Sequence, residues 1–184
     1  MKPAYHAARL HSERLILRSL SHHDLPQIHR IRSDPETAAL LGINPAVDLS
    51  ATATYIQSLL NGMDQGLWLC WSLTLPLSDF CLGSLVLWNF RSSHNDAEIG
   101  YSLIPEARGQ GYMYEALGCL LEYAFSVLAL SAVNAFTSVH NSASLRLLRR
   151  LGFIFQSETM EDNLKGEPML LAHYSLTKEG FYAR

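Results

Sequence analysis

The sequence predicts an α/β (α+β) fold: a mixed, mostly antiparallel, twisted sheet of about seven strands with helices on both faces. Three observations predict it. Strand-like alternation recurs along the chain. Helix-period apolar stripes interrupt it. The order changes midway, from consecutive strands to β-α-β units. The chain has 184 residues, 48% hydrophobic and 17% charged, which is enough apolar mass for one buried core. Residues 1–184 are therefore expected to form a single domain.

The elements follow in order. Residues 14–20 alternate and carry β-formers, so they predict a strand. Ser21-His22-His23-Asp24 offers a helix start, and Leu25, Ile28 and Ile31 share one face of the helix beyond it. Asp34-Pro35 ends that helix, because proline disfavours helical backbone in the residue before it. A second helix is expected over 52–61, with Tyr55, Ile56, Leu59 and Leu60 inward and a turn between Gly62 and Gly66. Strands follow at 67–75, 80–88 and 97–103. The turn-prone segments 76–79 and 91–96 between them predict an antiparallel meander. Helix 113–128, strand 132–139, helix 142–151 and strands 153–160 and 169–176 complete a mixed sheet.

Composition removes several function classes. A formal net charge of −3 supplies no basic patch, so no nucleic-acid partner is expected. Cys70, Cys81 and Cys119 form no C-x-x-C, which suits reduced thiols in a cytoplasmic protein. No long apolar segment follows Met1-Lys2, and no run approaches the ~20 residues of a membrane span, so neither a signal peptide nor a membrane partner is expected. His22 and His23 are adjacent, so their side chains diverge. No H-x-x-x-H pair with a nearby ligand occurs, and no metal is expected. The residues carry no signal for oligomeric state.

The run Arg108-Gly109-Gln110-Gly111-Tyr112-Met113 opens directly into an apolar-periodic helix. A glycine turn feeding a helix leaves several backbone N–H groups without partners, at the positive end of the helix dipole. Such a corner suits a phosphate or pyrophosphate. It is not a P-loop, because no Gly-Lys-Ser/Thr follows, and two glycines do not make a dinucleotide fingerprint. The residues alone leave a plain glycine turn open as the alternative. A second motif, Asn141-Ser-Ala-Ser144-Leu-Arg146, runs on to Leu151-Gly152-Phe153. Asn141 is a good cap, Leu145, Leu148 and Leu151 repeat at helical spacing, and Gly152 can close the helix.

Together these two strings resemble the cofactor segments of the GNAT acetyltransferase superfamily, in its Rim-type branch, which includes enzymes that acetylate the amino termini of ribosomal proteins. Glu13-Arg14-Leu15-Ile16-Leu17-Arg18, Arg32-Ser33-Asp34-Pro35-Glu36 and Ala97-Glu98-Ile99-Gly100-Tyr101-Ser102-Leu103 resemble further segments of the same branch. Met113 departs from the usual small residue, Arg149-Arg150 replaces a common Glu-Lys pair, and Ser138-Val139-His140 lacks the usual lead-in. The resemblance implies acetyl-CoA as co-substrate, held at Arg108, Gly109, Gln110, Gly111, Tyr112 and Met113, with Asn141 on its arm. It also implies two strands splayed around that arm, with backbone groups of Leu103 and Ile104 pairing along it.

The chemistry expected is acetyl transfer to a primary amine. The amine must lose its proton, the thioester carbonyl must be polarised, and the leaving thiolate must be stabilised. Glu98, in an otherwise apolar strand, is the carboxylate expected on the proton path; a solvated or paired surface residue is the alternative. Ser144, on a first helical turn, could hydrogen-bond the leaving sulfur or be an ordinary first-turn serine. An α-amine of pKa ~8 is already roughly one-tenth neutral at pH 7, whereas a lysine at ~10.4 is not, a difference of roughly 3 kcal/mol. The expected acceptor is therefore a protein amino terminus. A polyamine or aminoglycoside, or a non-catalytic acyl-CoA sensor, is the alternative. His140 could line the acceptor pocket or be a solvated loop residue.

Overall fold

In the computed structural model, which describes residues 7–183, all strands join one eight-stranded sheet of order β1-β2-β3-β4-β5-β6-β8-β7. The strands are β1 (Leu10–His11), β2 (Ile16–Ser19), β3 (Trp68–Thr74), β4 (Cys81–Arg91), β5 (Asp96–Leu103), β6 (Ala132–Ser138), β7 (Ile154–Asp162) and β8 (Pro168–Thr177). The helices are α1 (Leu25–Ser33), α2 (Pro35–Leu41), α3 (Leu49–Asp64), α4 (Tyr112–Ser126), α5 (Ser142–Arg150) and α6 (Lys178–Tyr182). Every pairing is antiparallel except β5 with β6. The expected mixed sheet is present, with the two-residue β1 added at its edge.

The core forms because alternate residues of the central strands turn to opposite faces. Leu69, Trp71 and Leu73 of β3, Leu85 and Leu87 of β4, and Ala97 and Ile99 of β5 are buried together with Leu117, Leu120, Leu121 and Phe125 of α4. The Trp71 ring meets Tyr123 of α4 edge-on at 6.1 Å. On the other face lie Ile28 and Ile31 of α1 and Ile56 of α3. There Trp68 donates its ring N–H to the Leu59 carbonyl at 2.7 Å. Gly62 admits that ring, since a Cβ would sit 2.0 Å from it.

Two helices differ from the sequence reading. Asp34-Pro35 does end α1, but Pro35 also begins α2. A proline lacks the N–H that a first helical residue leaves unused, and the Asp34 carboxylate accepts the Thr37 N–H at 3.0 Å. The short α6 starts at Thr177, whose hydroxyl accepts the Gly180 N–H at 3.1 Å.

The parallel pair positions everything that follows. β5 and β6 match only at Asp96↔Ala132, Ala97↔Val133 and Glu98↔Asn134. Beyond Glu98, β5 stays paired with β4 and β6 with β8, while the two strands part from each other. The sheet therefore opens at the carboxyl ends of both strands, where the chain leaves for α4 and α5.

Candidate active site

The opening is lined from both sides. A cavity of about 270 Å³ lies between Ile99, Gly100 and Tyr101 of β5 and Ala135, Phe136, Thr137 and Ser138 of β6. Trp88 closes one wall, Leu40 and Leu41 of α2 another, and the β7–β8 hairpin brings Glu161, Asp162 and Leu164 to the rim. Gly100 is required there: a Cβ would stand 2.9 Å from the Trp88 ring. Asn141 and Ser144 close the far end.

Backbone geometry separates the two strand residues expected to hold an arm. The Ile104 N–H donates to the Leu82 carbonyl at 2.9 Å, and its carbonyl accepts the Ala107 N–H at 3.0 Å. Both groups are occupied, so Ile104 cannot pair with an incoming chain; this corrects the expectation for that residue. In a strand, neighbouring residues direct their N–H and C=O to opposite sides. Because Ile104 faces β4, Leu103 and Tyr101 turn theirs toward the opening. That unpaired edge is a template for an extended, amide-bearing arm.

The loop beyond β5 supplies a second template. Gly109 and Gly111 have φ of 74° and 81°, in the left-handed region that favours glycine. Gly111 begins α4 with no side-chain cap, and the first helical bond is from the Glu115 N–H to the Gly111 carbonyl at 3.1 Å. Among the described residues, the amides of 109–114 donate to no other group. They form the uncapped, positive end of a 15-residue helix. Met113 does not crowd them: its side chain is buried in the core.

Charged side chains frame this loop in ways the sequence did not show. The Arg14 guanidinium lies 4.7 Å from the centre of the Tyr112 ring, donates to Glu115 Oε2 at 2.7 Å and reaches the Gln110 carbonyl at 3.1 Å. It puts a half-exposed cation at the loop's edge. Arg108 is placed differently from what was expected. Its N–H donates to the Pro105 carbonyl, and its guanidinium donates to Asp34 at 3.0 Å and to the Thr37 hydroxyl at 2.6 Å. These bonds fasten the loop to α2, so the Arg108 guanidinium is already engaged there. Thr37 and Arg108 together hold the Asp34 carboxyl below its ordinary range.

At the far end of the cavity, Asn141 caps α5, its side-chain oxygen accepting the Ser144 N–H at 3.0 Å. The Ser144 hydroxyl is hydrogen-bonded to the Tyr101 hydroxyl at 2.8 Å. Burial pushes the Tyr101 phenol up to about 12, against the smaller opposing effect of the Ser144 bond, so it stays a proton donor at neutral pH. Tyr101 was missed as a site side chain, although its alternation with Ile99 and Leu103 was a signal for it.

On the opposite face, Glu98 sits at the point where the strands part. Its carboxylate accepts from the Asn89 side chain at 2.6 Å and lies outside the cavity lining. His140 is exposed beside Asn141, outside the lining as well. Among the described residues, no group of three or more His, Cys, Asp or Glu side chains could hold a metal, and no helix is long and apolar enough to cross a membrane.

Comparison with known proteins places this geometry. The family model for the acetyltransferase (GNAT) domain matches residues 14–154. The chain is 28% identical over 144 residues to the Uncharacterized N-acetyltransferase YoaA of Bacillus subtilis (strain 168), covering 78% of this chain and 81% of that one. It is 32% identical over 120 residues to the Bacillus subtilis (strain 168) protein named "Putative ribosomal N-acetyltransferase YdaF", covering 65% and 61%. The crystal structure of spermidine N-acetyltransferase from Vibrio cholerae in complex with CoA and spermine shares the fold. Its TM-score is 0.78 at 19% identity, covering 92% of this chain and 98% of that one.

Proposed function

The chain belongs to the GNAT acetyltransferase family and uses acetyl-CoA; from that premise we propose that it acetylates the α-amine of a protein amino terminus, as a ribosomal-protein-like N-acetyltransferase. The parting of β5 and β6 carries this reading, because it joins an unpaired strand edge, an uncapped helix mouth and an acceptor cavity in one line.

Acetyl-CoA supplies an activated acetyl group as a thioester. The residues present fit its parts. The amides of Gly109, Gln110, Gly111, Tyr112 and Met113 face its diphosphate, with Arg14 adding charge. The open edge at Leu103 pairs with its amide-bearing arm, and Asn141 meets that arm at the cavity end. The Tyr101–Ser144 pair donates a hydrogen bond where the sulfur departs, Tyr101 holding the proton and Ser144 orienting it. Across the opening, Glu98 supplies negative charge on the proton path of the acceptor amine.

The acceptor side supports the end of a longer molecule. The cavity falls below the ~300–1,000 Å³ of pockets that enclose whole small ligands. Trp88 and Phe136 offer aromatic walls to an ammonium group, and Glu161 and Asp162 offer charge at the rim. The same features favour a second reading, a polyamine acceptor, and the Vibrio cholerae spermidine enzyme of the same fold adds to it. A bulky Met113 in the loop would have favoured a non-catalytic sensor, but its side chain is buried in the core and does not alter the loop. Three free cysteines, two of them buried, support a reducing, cytoplasmic setting, and the single continuous sheet supports one domain.

Free-thiol release from acetyl-CoA, measured across peptides with free amino termini, amino-blocked lysine peptides, polyamines and aminoglycosides, tests the reading. Turnover of free-terminus peptides is expected. Turnover confined to small amines would remove it.

A further inference from the structure

β8 carries a histidine that none of the roles above uses. Its environment is unusually well determined. The Asp96 carboxylate is nearly buried, receives two N–H groups of the Arg91 guanidinium, one at 2.8 Å, and accepts from Asn134 Nδ2 at 2.9 Å. A carboxylate paired in this way only accepts, so the Asn134 amide is oriented with its NH₂ toward Asp96. The Asn134 oxygen then faces His173 Nε2, 3.0 Å away. An amide oxygen only accepts, so Nε2 must carry the hydrogen. The neutral imidazole is thereby held in one tautomer, with the lone pair on Nδ1, which has no hydrogen-bond partner among the described residues.

Position adds to chemistry. His173 and Phe136 are register partners on β8 and β6, and their rings stack at 4.4 Å with planes 7° apart. Phe136 lines the acceptor cavity, so the imidazole stands one ring away from it. Glu98 pairs in register with Asn134 on the same face. Burial first, and then the Arg91 guanidinium, hold the imidazole below its ordinary pKa, while Glu98 and Asp96 act in the opposite sense. On β7, Ser157 lies opposite His173, and Glu161 stands two rungs further along the same face.

We propose that His173 receives the proton that the acceptor ammonium gives up, with Asn134 and Asp96 fixing its tautomer and Glu98 stabilising the imidazolium formed. In this step an N–H bond of the ammonium breaks and its electron pair stays on the amine nitrogen. The proton bonds to Nδ1, leaving an imidazolium with N–H on both ring nitrogens. His173 is half-buried, so that proton returns to solvent between turnovers. The inference rests on the acetyltransferase reading and holds for any primary amine acceptor.

The test has two arms. ¹⁵N side-chain NMR of the wild-type protein reads the tautomer directly. A neutral Nε2–H imidazole at pH 7 is expected; an Nδ1–H tautomer or an imidazolium at that pH overturns the proposal. The second arm is His173→Gln, whose side-chain NH₂ can still donate to Asn134 but takes up no proton. With an ordinary primary amine, kcat is expected to fall about 100-fold and the acidic limb of the pH profile to be lost, with the KM for acetyl-CoA unchanged. With an acceptor whose ammonium pKa lies below about 6, already neutral at pH 7, the loss is expected to shrink to under about 3-fold. Wild-type turnover in His173→Gln, or an equal loss with both acceptors, would show that the residue only ties β6 to β8. The acceptor is whichever amine the thiol-release panel shows to be used, so failure of the peptide reading leaves this test standing. If no amine is used, the acetyltransferase reading falls and this proposal falls with it, whatever the tautomer.

Discussion

α4 and α5 begin in matching places, just past the strands that part, yet their first turns are finished in opposite ways. α5 is closed by its own residue, Asn141, whose oxygen takes the Ser144 N–H. α2, α3 and α6 are closed likewise by Asp34, Asp48 and Thr177. α4 begins with a left-handed glycine and no cap. A self-capped helix end is a structural joint. An uncapped end beside a strand edge with free backbone groups is a receptor for something charged and extended. On the proposed reading, the diphosphate side of the site is thus made of backbone, and the acceptor side of side chains.

The largest break in that contrast is Gly111→Asp, which puts a capping carboxylate and a strained φ at the open mouth. Calorimetry should show acetyl-CoA binding weakened about 100-fold, roughly 2.7 kcal/mol. Unchanged affinity would mean that the mouth holds no anion. Next come Tyr101→Phe and Ser144→Ala, each expected to lower kcat about 30-fold with the KM for acetyl-CoA within about 3-fold. A change in KM alone would move the pair from proton donation to binding. Arg14→Ala should weaken acetyl-CoA binding about 5-fold at low salt, a loss that fades near about 0.5 M salt because the guanidinium is half exposed. At the capped mouth, Asn141→Ala should cost about 1 kcal/mol of stability, seen as a Tm lower by about 2–4 °C.

A smaller effect concerns alkaline pH. Burial pushes the Cys70 and Cys81 thiols and the Tyr101 phenol up to about 12. These groups stay neutral in the fold and ionise earlier in the unfolded chain. Their contribution is therefore complete below about pH 9 and is lost as pH rises toward 12. Urea midpoints that fall across that window would agree. Midpoints that rise would contradict it.

Legibility followed the same division. The helix mouth, the Asn141 cap and the strand that ends at Leu103 are written in adjacent residues, so glycine spacing, capping chemistry and alternation read them directly. The Pro35 start of α2 was hidden because the same residue also marks the end of α1. Arg14 and Glu115, Tyr101 and Ser144, and Arg108 and Asp34 come together only when the sheet is assembled. No local pattern encodes a pairing across dozens of residues. Ile104 was misjudged for a related reason: which side a strand residue faces depends on its partner strand, and Leu82 claimed it.

The grip of Arg108 on Asp34 and Thr37, and the ion pair of Arg30 with Glu106, bolt the loop before α4 to α1 and α2. Leu40 and Leu41, at the end of α2, form a wall of the cavity. Any displacement of the loop is thus transmitted to that wall. Arg108 and Arg30 thereby fasten the loop and the cavity wall into one mechanical unit.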